Sequence, residues 1–201
     1  MCSPPRAQRG VVLIVAMIAI LALTLAALAL DRAVATDVTI AANFNARTHA
    51  TLLASDAIER AVAGLFETGA IADRLVDDVP HNYFASRQAG ADARGVPRAL
   101  QTIANYPTDA AIVDTGDRHQ LRHVIERLCL RSGAAAADNC TLTPPSAAAA
   151  RGTPPPGEPP RTPIYRVTVR VDGPAGTTAF VQAMLGESPT HHRLSWRALD
   201  E

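Results

Sequence analysis

The sequence predicts an α+β protein in which one long N-terminal α-helix packs against a four-stranded antiparallel β-sheet. Two observations lead to this fold class. Residues 11–66 contain no proline, and their first glycine is Gly64, so the segment can form one continuous helix. Farther along the chain, two pairs of alternating apolar segments, each pair joined by a turn, predict two β-hairpins.

The first part of the helix is long and apolar enough to span a membrane. Residues 11–30 carry no charge, and about 20 residues at ~1.5 Å each match a bilayer core of ~30 Å. Thr24, in the middle of this run, can donate to the carbonyl oxygen of Ile20, so it needs no other polar partner. Arg6 and Arg9 precede the run without an acidic residue, which predicts a single pass with a cytoplasmic N-terminus.

The second part of the helix, residues 31–66, is amphipathic. Its apolar residues recur at three- and four-residue steps, which places them on one helical face. The members of this face, with two bridging threonines, are Ile40, Phe44, Thr48, Thr51, Ala54, Ile58, Val62 and Leu65. We expect this face to pack under a globular domain, and Gly69 to end the helical region.

A loop-rich connector follows at residues 70–108, interrupted by Pro80, Pro97 and Pro107. Residues 71–76 are its short helical candidate. Loops of this length inside a compact domain are usually functional or variable. We therefore take the connector as a candidate contact surface.

The remaining chain predicts the sheet. Residues 110–130 are predicted to form a first hairpin around a turn at 114–117. A second hairpin, with a clearer alternating pattern, has its turn at 173–176. In the second hairpin, Tyr165, Val167, Val169 and Val171 share one face, and Arg166, Thr168 and Arg170 share the other. A Pro- and Ala-rich linker at 144–163 separates the hairpins. The tail can add a short edge strand at 194–197, anchored by Trp196.

Three cysteines indicate one disulfide bond. Cys2 lies in the short segment before the apolar run. This leaves Cys129 and Cys140 in the part of the chain that crosses to an oxidising compartment. A bond between them would close a short loop and contribute about 3 kcal/mol by the chain-entropy estimate. Two free buried thiols are the alternative.

Composition argues against several classes of function. The formal net charge is zero, which gives no electrostatic footprint for nucleic acid. No G-x-S-x-G elbow, P-loop or Rossmann glycine pattern occurs. We therefore predict neither an enzyme nor a cofactor.

Three local patterns could be mistaken for sites. Cys129 and His123 fall on one strand about 20 Å apart, too far for a catalytic dyad. The adjacent His191 and His192 lie in a polar tail, where histidines are usually solvated. The acids Asp109, Asp114 and Asp117 are typical of turns, and their spacing matches no EF-hand calcium loop. We predict no metal site at any of them.

The N-terminal segment QRGVVLIVAM resembles a type IV prepilin leader, a short basic leader that ends in glycine directly before an apolar helix. The resemblance implies that a prepilin peptidase cleaves after Gly10 and methylates Val11 as the new N-terminus. Two positions depart from the family. Val11 replaces the usual phenylalanine or methionine, and Val15 replaces a glutamate that recruits neighbouring subunits. Since a carboxylate in lipid is kept only for such a partner, Val15 favours a minor over a major subunit.

The segment IAANFNARTHATLLASDAIERAVAGL is similar to the corresponding region of PilX-type minor pilins, and HVIERLC resembles that family again. The counterpart residues are Ala42, Asn43, Arg47, Ala50, Ala54, Asp56 and Ala57. With the leader, the resemblance covers residues 8–66. It implies a pilin-like fold with a leader at 1–10, the long helix at 11–66 and a globular β-domain at 67–201.

The resemblance also implies a place of action. The chain would be held in the inner membrane and then enter a type IV pilus (a fimbrium), where it would help initiate assembly near the tip. The implied partners are other minor and major pilins, the prepilin peptidase, the pilus assembly platform and the membrane. Val15 and Thr24 would lie on the helix that packs in the filament. The alternatives are a minor pseudopilin of a type II secretion machine, an anchored domain that never polymerises, and a secretory signal cleaved at 27–29.

Overall fold

The computed structural model describes residues 9–116, 118–144, 150–152, 161–187 and 193–199. The chain divides into two compact units, an N-terminal unit (Met1–Asn45) and a C-terminal unit (Ala46–Glu201). Most of the predicted leader lies outside the described residues, as does most of the linker at 144–163. The fold class is α+β, as predicted.

The long helix α1 runs from Arg9 to Val62 and continues as a π-helical turn, Ala63–Glu67. The backbone N–H of Thr68 donates to the carbonyl oxygen of Ala63 at 2.9 Å, and the next residue, Gly69, takes a left-handed φ of 68°. A left-handed residue stops a helix, and glycine adopts that conformation without steric cost. The predicted end of the helical region at Gly69 is therefore confirmed.

The sheet has six strands, not the four antiparallel strands that we predicted. The strands are β1 (Tyr83–Phe84), β2 (Val113–Asp114), β3 (Gln120–Arg127), β4 (Ile164–Asp172), β5 (Thr178–Gly186) and β6 (Arg193–Ala198). Their order is β1-β3-β4-β5-β6, with β2 also paired to β3. The pairing is mixed, because β1 runs parallel to β3. A two-residue strand is too short to show a period of two, so the sequence pattern could not predict β1.

Both predicted hairpins are present. β2 pairs antiparallel with β3, and β4 pairs antiparallel with β5 along nine residues from Ile164 to Asp172. β6 is the predicted edge strand and pairs with β5. Trp196 on β6 is 39% exposed, whereas Leu199 after the strand is buried. Leu199 is therefore the buried anchor of the tail, and the anchoring role predicted for the partly exposed Trp196 stays a prediction.

One face of the sheet packs against the end of α1. Tyr165, Val167, Val169 and Val171 of β4 share this face, as predicted, and Leu121 and Ile125 of β3 join them. The helical residues buried in the same core are Ala50, Ala54, Ala57, Ile58, Ala61, Val62 and Leu65. Burial on α1 thus begins at Ala50, and small alanines let helix and sheet approach closely.

Two of the apolar members of the predicted helical face do not contribute to this core. Ile40 is 61% exposed and Phe44 is 73% exposed, and both belong to the N-terminal unit. Periodicity identified the correct face of the helix but not the turn at which burial starts, because that depends on the length of the sheet.

The opposite face of the sheet is covered by the connector. Its short elements are the 3₁₀ turns Val79–His81 and Ile103–Asn105, with the helix α2 (Arg98–Gln101) between them, and no helix forms at 71–76. A second apolar cluster forms here from Val96, Leu100, Tyr106, Val124 and Leu199. This part of the connector therefore builds the core of the domain.

Candidate assembly helix and polar sheet face

The candidate assembly surface is the apolar part of α1 in the N-terminal unit. Among the described residues this is the one helix long and apolar enough to cross a membrane. Its large apolar side chains are exposed throughout, and Val15, for example, is 58% exposed. Gly10 and Val11 are both helical, and the predicted cleavage between them stays a prediction.

Thr24 is satisfied within its own helix. Its Oγ1 donates to the carbonyl oxygen of Leu21 at 2.8 Å, one residue later than the predicted acceptor, Ile20. Both acceptors lie within one helical turn of Thr24, so the expectation that Thr24 needs no polar partner outside its own helix is unchanged. A hydroxyl that bonds its own backbone can sit among apolar side chains at little cost.

The predicted disulfide bond between Cys129 and Cys140 is present in the C-terminal unit. Because Cys129 is bonded, it is no nucleophile. The loop between the two cysteines is held by Asn139, whose Oδ1 accepts from the N–H of Arg131 at 3.1 Å. Asn139 Nδ2 donates back to the carbonyl oxygen of Arg131 at 3.2 Å, and Asn139 is 5% exposed. Asn139 was not singled out from the sequence for these hydrogen bonds; its position directly before Cys140 was the available signal.

Replacing both Cys129 and Cys140 by serine is expected to lower the free energy of unfolding by about 3 kcal/mol, because the bond restricts the unfolded chain. Guanidinium titration of the full chain in detergent micelles, followed by Trp196 fluorescence, measures the change. Reductant should shift the wild type to the same midpoint and leave the double variant unchanged. Free thiols at Cys129 and Cys140, alkylatable in the denatured, unreduced chain, would contradict the bond.

The most unusual feature of the outer sheet face is a buried ion pair. Glu126 is 0% exposed, and its Oε2 accepts from Arg166 Nη2 at 2.6 Å and from Nε at 2.8 Å. Its Oε1 accepts from the backbone N–H of Gln88 at 2.8 Å. Glu126 on β3 and Arg166 on β4 are direct cross-strand partners. Glu126 therefore ties the connector to the sheet as well as pairing two strands.

A second polar cluster lies on the same face, nearer the β4–β5 turn. Asp172 accepts from Arg122 Nη1 at 2.8 Å and from Arg170 Nε at 2.8 Å. Arg170 Nη1 also donates to the carbonyl oxygens of Leu100 and Gln101, both at 2.9 Å. The arginine thus closes the end of α2 onto the sheet. The predicted grouping of Arg166, Thr168 and Arg170 is confirmed, but their partners could not be derived from the pattern.

His123 occupies the helix-facing side of β3, next to Asn82. Asn82 Nδ2 lies 3.2 and 3.1 Å from the two ring nitrogens and also donates to the carbonyl oxygen of Ala111 at 3.1 Å. Burial, with a smaller contribution from the Arg60 guanidinium, lowers the pKa of His123 to about 4. The hydroxyl of Tyr106 donates to the carbonyl oxygen of His123 at 3.0 Å, and burial raises the pKa of that tyrosine to about 12.

The neutral His123 makes stability depend on pH. Since its pKa falls from 6.5 in the unfolded chain to about 4 in the folded one, the unfolded chain binds the proton first as pH decreases. The full stability is present above pH ~6.5 and declines toward pH 4, by about 2 kcal/mol between pH 7 and 5. His123→Gln should flatten this dependence, measured by guanidinium titration at each pH. An unchanged slope in folded His123→Gln would contradict this role.

The patterns rejected as metal sites gain no support. The described residues contain no group of three or more His, Cys, Asp or Glu side chains that could hold a metal ion. Asp114 Oδ1 accepts from the N–H of Gly116 at 2.9 Å, which is the turn role expected of it. Asp117, His191 and His192 lie outside the described residues.

The described residues thus include an apolar helix of membrane-spanning length and a disulfide-bonded α+β domain. Comparison with protein-family models, with curated proteins and with solved structures gives no match for this chain.

Proposed function

We propose that this chain is a minor pilin of the PilX type, which takes part in initiating a type IV pilus near its tip. The observation that carries the proposal is α1. One helix begins at Arg9, exposes an uncharged apolar surface over residues 11–30, and ends by packing its last turns on a sheet. The prepilin-like segment around Gly10 stands at the start of this same helix.

The proposed work is helix packing, without catalysis. In the membrane the exposed side chains of residues 11–30 contact lipid, and in the filament they contact the equivalent helices of other pilins. Alanines are frequent in this segment and allow close helix–helix approach. Val15 brings no carboxylate into this apolar bundle, which suits a subunit that does not need the recruiting ion pair of a major pilin.

Partners and location follow from the proposal. The prepilin peptidase would act at the Gly10–Val11 bond, and the chain would wait in the inner membrane with its N-terminus cytoplasmic. The assembly platform would then move it into the pilus beside other minor and major pilins. The C-terminal unit would lie outside the cytoplasm, where the Cys129–Cys140 bond is stable.

Deletion of the coding sequence tests this function. We expect loss of surface pili and of twitching, with secretion of exoproteins unchanged. Loss of exoprotein release with normal pili would instead favour a type II secretion pseudopilin. If neither process changes, the chain is a membrane-anchored domain that does not polymerise.

Complementation of the deletion links the phenotype to the apolar helix. Ile20→Arg places a charge near the centre of the span at a cost of about 2.5–3.5 kcal/mol. This variant should fail to restore pili. Leu52→Ala alters an exposed position on the same helix, outside the span, and should restore them. Equal complementation by both variants would argue against a role for the apolar surface.

A further inference from the structure

Within the part of the chain that the structure describes, the sheet ends in an open edge at β6. Among the described strands, β6 pairs only with β5. The backbone N–H of Leu199 donates to the carbonyl oxygen of Phe180 at 2.9 Å. Because alternate residues of an antiparallel strand face the partner, the backbone groups of Arg197 also face β5, whereas those of Trp196 and Ala198 face outward. An edge of this kind is a template for another strand.

Apolar side chains stand exposed along this edge. Leu194 is 47% exposed and Trp196 is 39% exposed. Trp196 lies in the regularly paired part of β6, whereas Leu194 lies at a β-bulge, where the register with β5 shifts. Trp196 pairs with Ala183, a residue of the helix-side core, so its ring lies on that face of the sheet but beyond the core. The strand carries Arg193 and Arg197, and charges of this kind on an edge strand oppose pairing with a like-charged strand and favour an acidic one.

A groove of about 440 Å³ adjoins the end of β6. Its walls include Arg47, Ala50, Arg94, Phe180, Ala198 and Leu199. Among the described residues, two arginines and no carboxylate line it. Arg94 pairs with Asp92 at 3.1 Å, but none of the described carboxylates forms an ion pair with the exposed Arg47. The groove therefore presents a cation beside the open backbone edge.

We propose that the β6 edge binds an extended segment of another protein, which adds as an antiparallel strand. The segment has an apolar residue opposite Trp196 and, two residues away on the same face, an acidic residue that reaches Arg47. A second copy of this chain is the poorer occupant. The β6 sequence RLSWRA carries two arginines and no acid, so pairing it with itself brings like charges together. The proposal rests on the C-terminal unit alone and stands whether or not the chain is a pilin.

Trp196 is the single tryptophan of the chain and reports on the edge directly. The probe is the acetylated, amidated peptide TETVTVT, whose glutamate falls opposite Ala198 and whose first valine falls opposite Trp196. Titrated into the full chain in detergent micelles, it should give a saturable blue shift of Trp196 fluorescence. The matched peptide TKTVTVT, with lysine for glutamate, should bind at least about fivefold more weakly.

Two variants separate the backbone and charge contributions. Ala198→Pro removes an outward N–H without breaking a bond to β5, as proline is tolerated on edge strands, and should weaken binding at least about tenfold. Arg47→Glu should reverse the preference, so that the lysine peptide binds better than the glutamate peptide. Arg98→Glu, an exposed cation on α2 outside the groove, is the control and should change neither affinity.

The possible results are distinct. Failure of the glutamate peptide to bind wild type at millimolar concentration would overturn the proposal, as would equal binding by folded Ala198→Pro. If Ala198→Pro does not fold, an unchanged preference of Arg47→Glu for the glutamate peptide over the lysine peptide would also overturn the proposal. Self-association of the wild type in light scattering, lost in Ala198→Pro, would identify a second copy as the occupant instead.

Discussion

Replacing Glu126 by alanine is expected to lower the free energy of unfolding by about 3–5 kcal/mol, because it leaves the guanidinium of Arg166 buried without its counter-charge. Glu126 is 0% exposed and the Arg166 side chain 11%. The backbone N–H of Gln88 also loses its acceptor. Guanidinium titration of the full chain in detergent micelles, read by Trp196 fluorescence, measures the loss.

Two further variants test whether the loss of stability in Glu126→Ala comes from the buried, unpaired Arg166. Replacing Glu126 and Arg166 together by methionine should restore most of the stability, since a well-packed apolar pair often substitutes for a buried ion pair. Asp56→Ala removes the exposed pair that Asp56 forms with Arg60 and should cost no more than about 0.5 kcal/mol. A loss below about 1 kcal/mol in Glu126→Ala would contradict the role assigned to the buried pair.

Truncating Ile58 to alanine is the second change with a large expected effect, a loss of about 2–5 kcal/mol. Ile58 is 0% exposed and lies in the core between α1 and the sheet. Its helical neighbours there include Ala54 and Ala61, which are too small to fill the cavity left behind. The same guanidinium titration measures this effect.

Leu52→Ala provides the matched control for Ile58→Ala. Leu52 lies on the same helix in the C-terminal unit, but it is 63% exposed, so its truncation should change stability by no more than about 0.5 kcal/mol. Similar losses in the two variants would show that the helix does not pack on the sheet through the face that includes Ile58.

The elements that sequence predicted well are those set by local patterns. The long helix follows from a run without proline or early glycine, and the β4–β5 hairpin follows from alternation on both sides of a Gly-Pro turn. β1 was missed because two residues carry no period and its parallel partner is far away in sequence. The start of burial at Ala50 was missed because small alanines carry a weak hydrophobic signal while the larger Ile40 and Phe44 carry a strong one.

Among the candidate sites, too, those set by local sequence could be predicted, and those set by the folded sheet could not. The Cys129–Cys140 bond could be predicted because two cysteines admit one pairing. The Glu126–Arg166 pair could not, because it depends on the register between β3 and β4, which only the folded sheet shows. Asn82, beside His123, depends on a left-handed backbone conformation with φ of 59°, which an isolated asparagine does not indicate.

The most direct test of the proposed function is the N-terminal residue of the mature protein. The chain, purified from the membranes of its own organism, is digested, and its N-terminal peptide is identified by mass spectrometry. We expect Val11 with a methylated amino group, which places cleavage at the Gly10–Val11 bond. An N-terminus at Met1, or one near Leu30 after a secretory cleavage, would contradict the assignment to the pilin class.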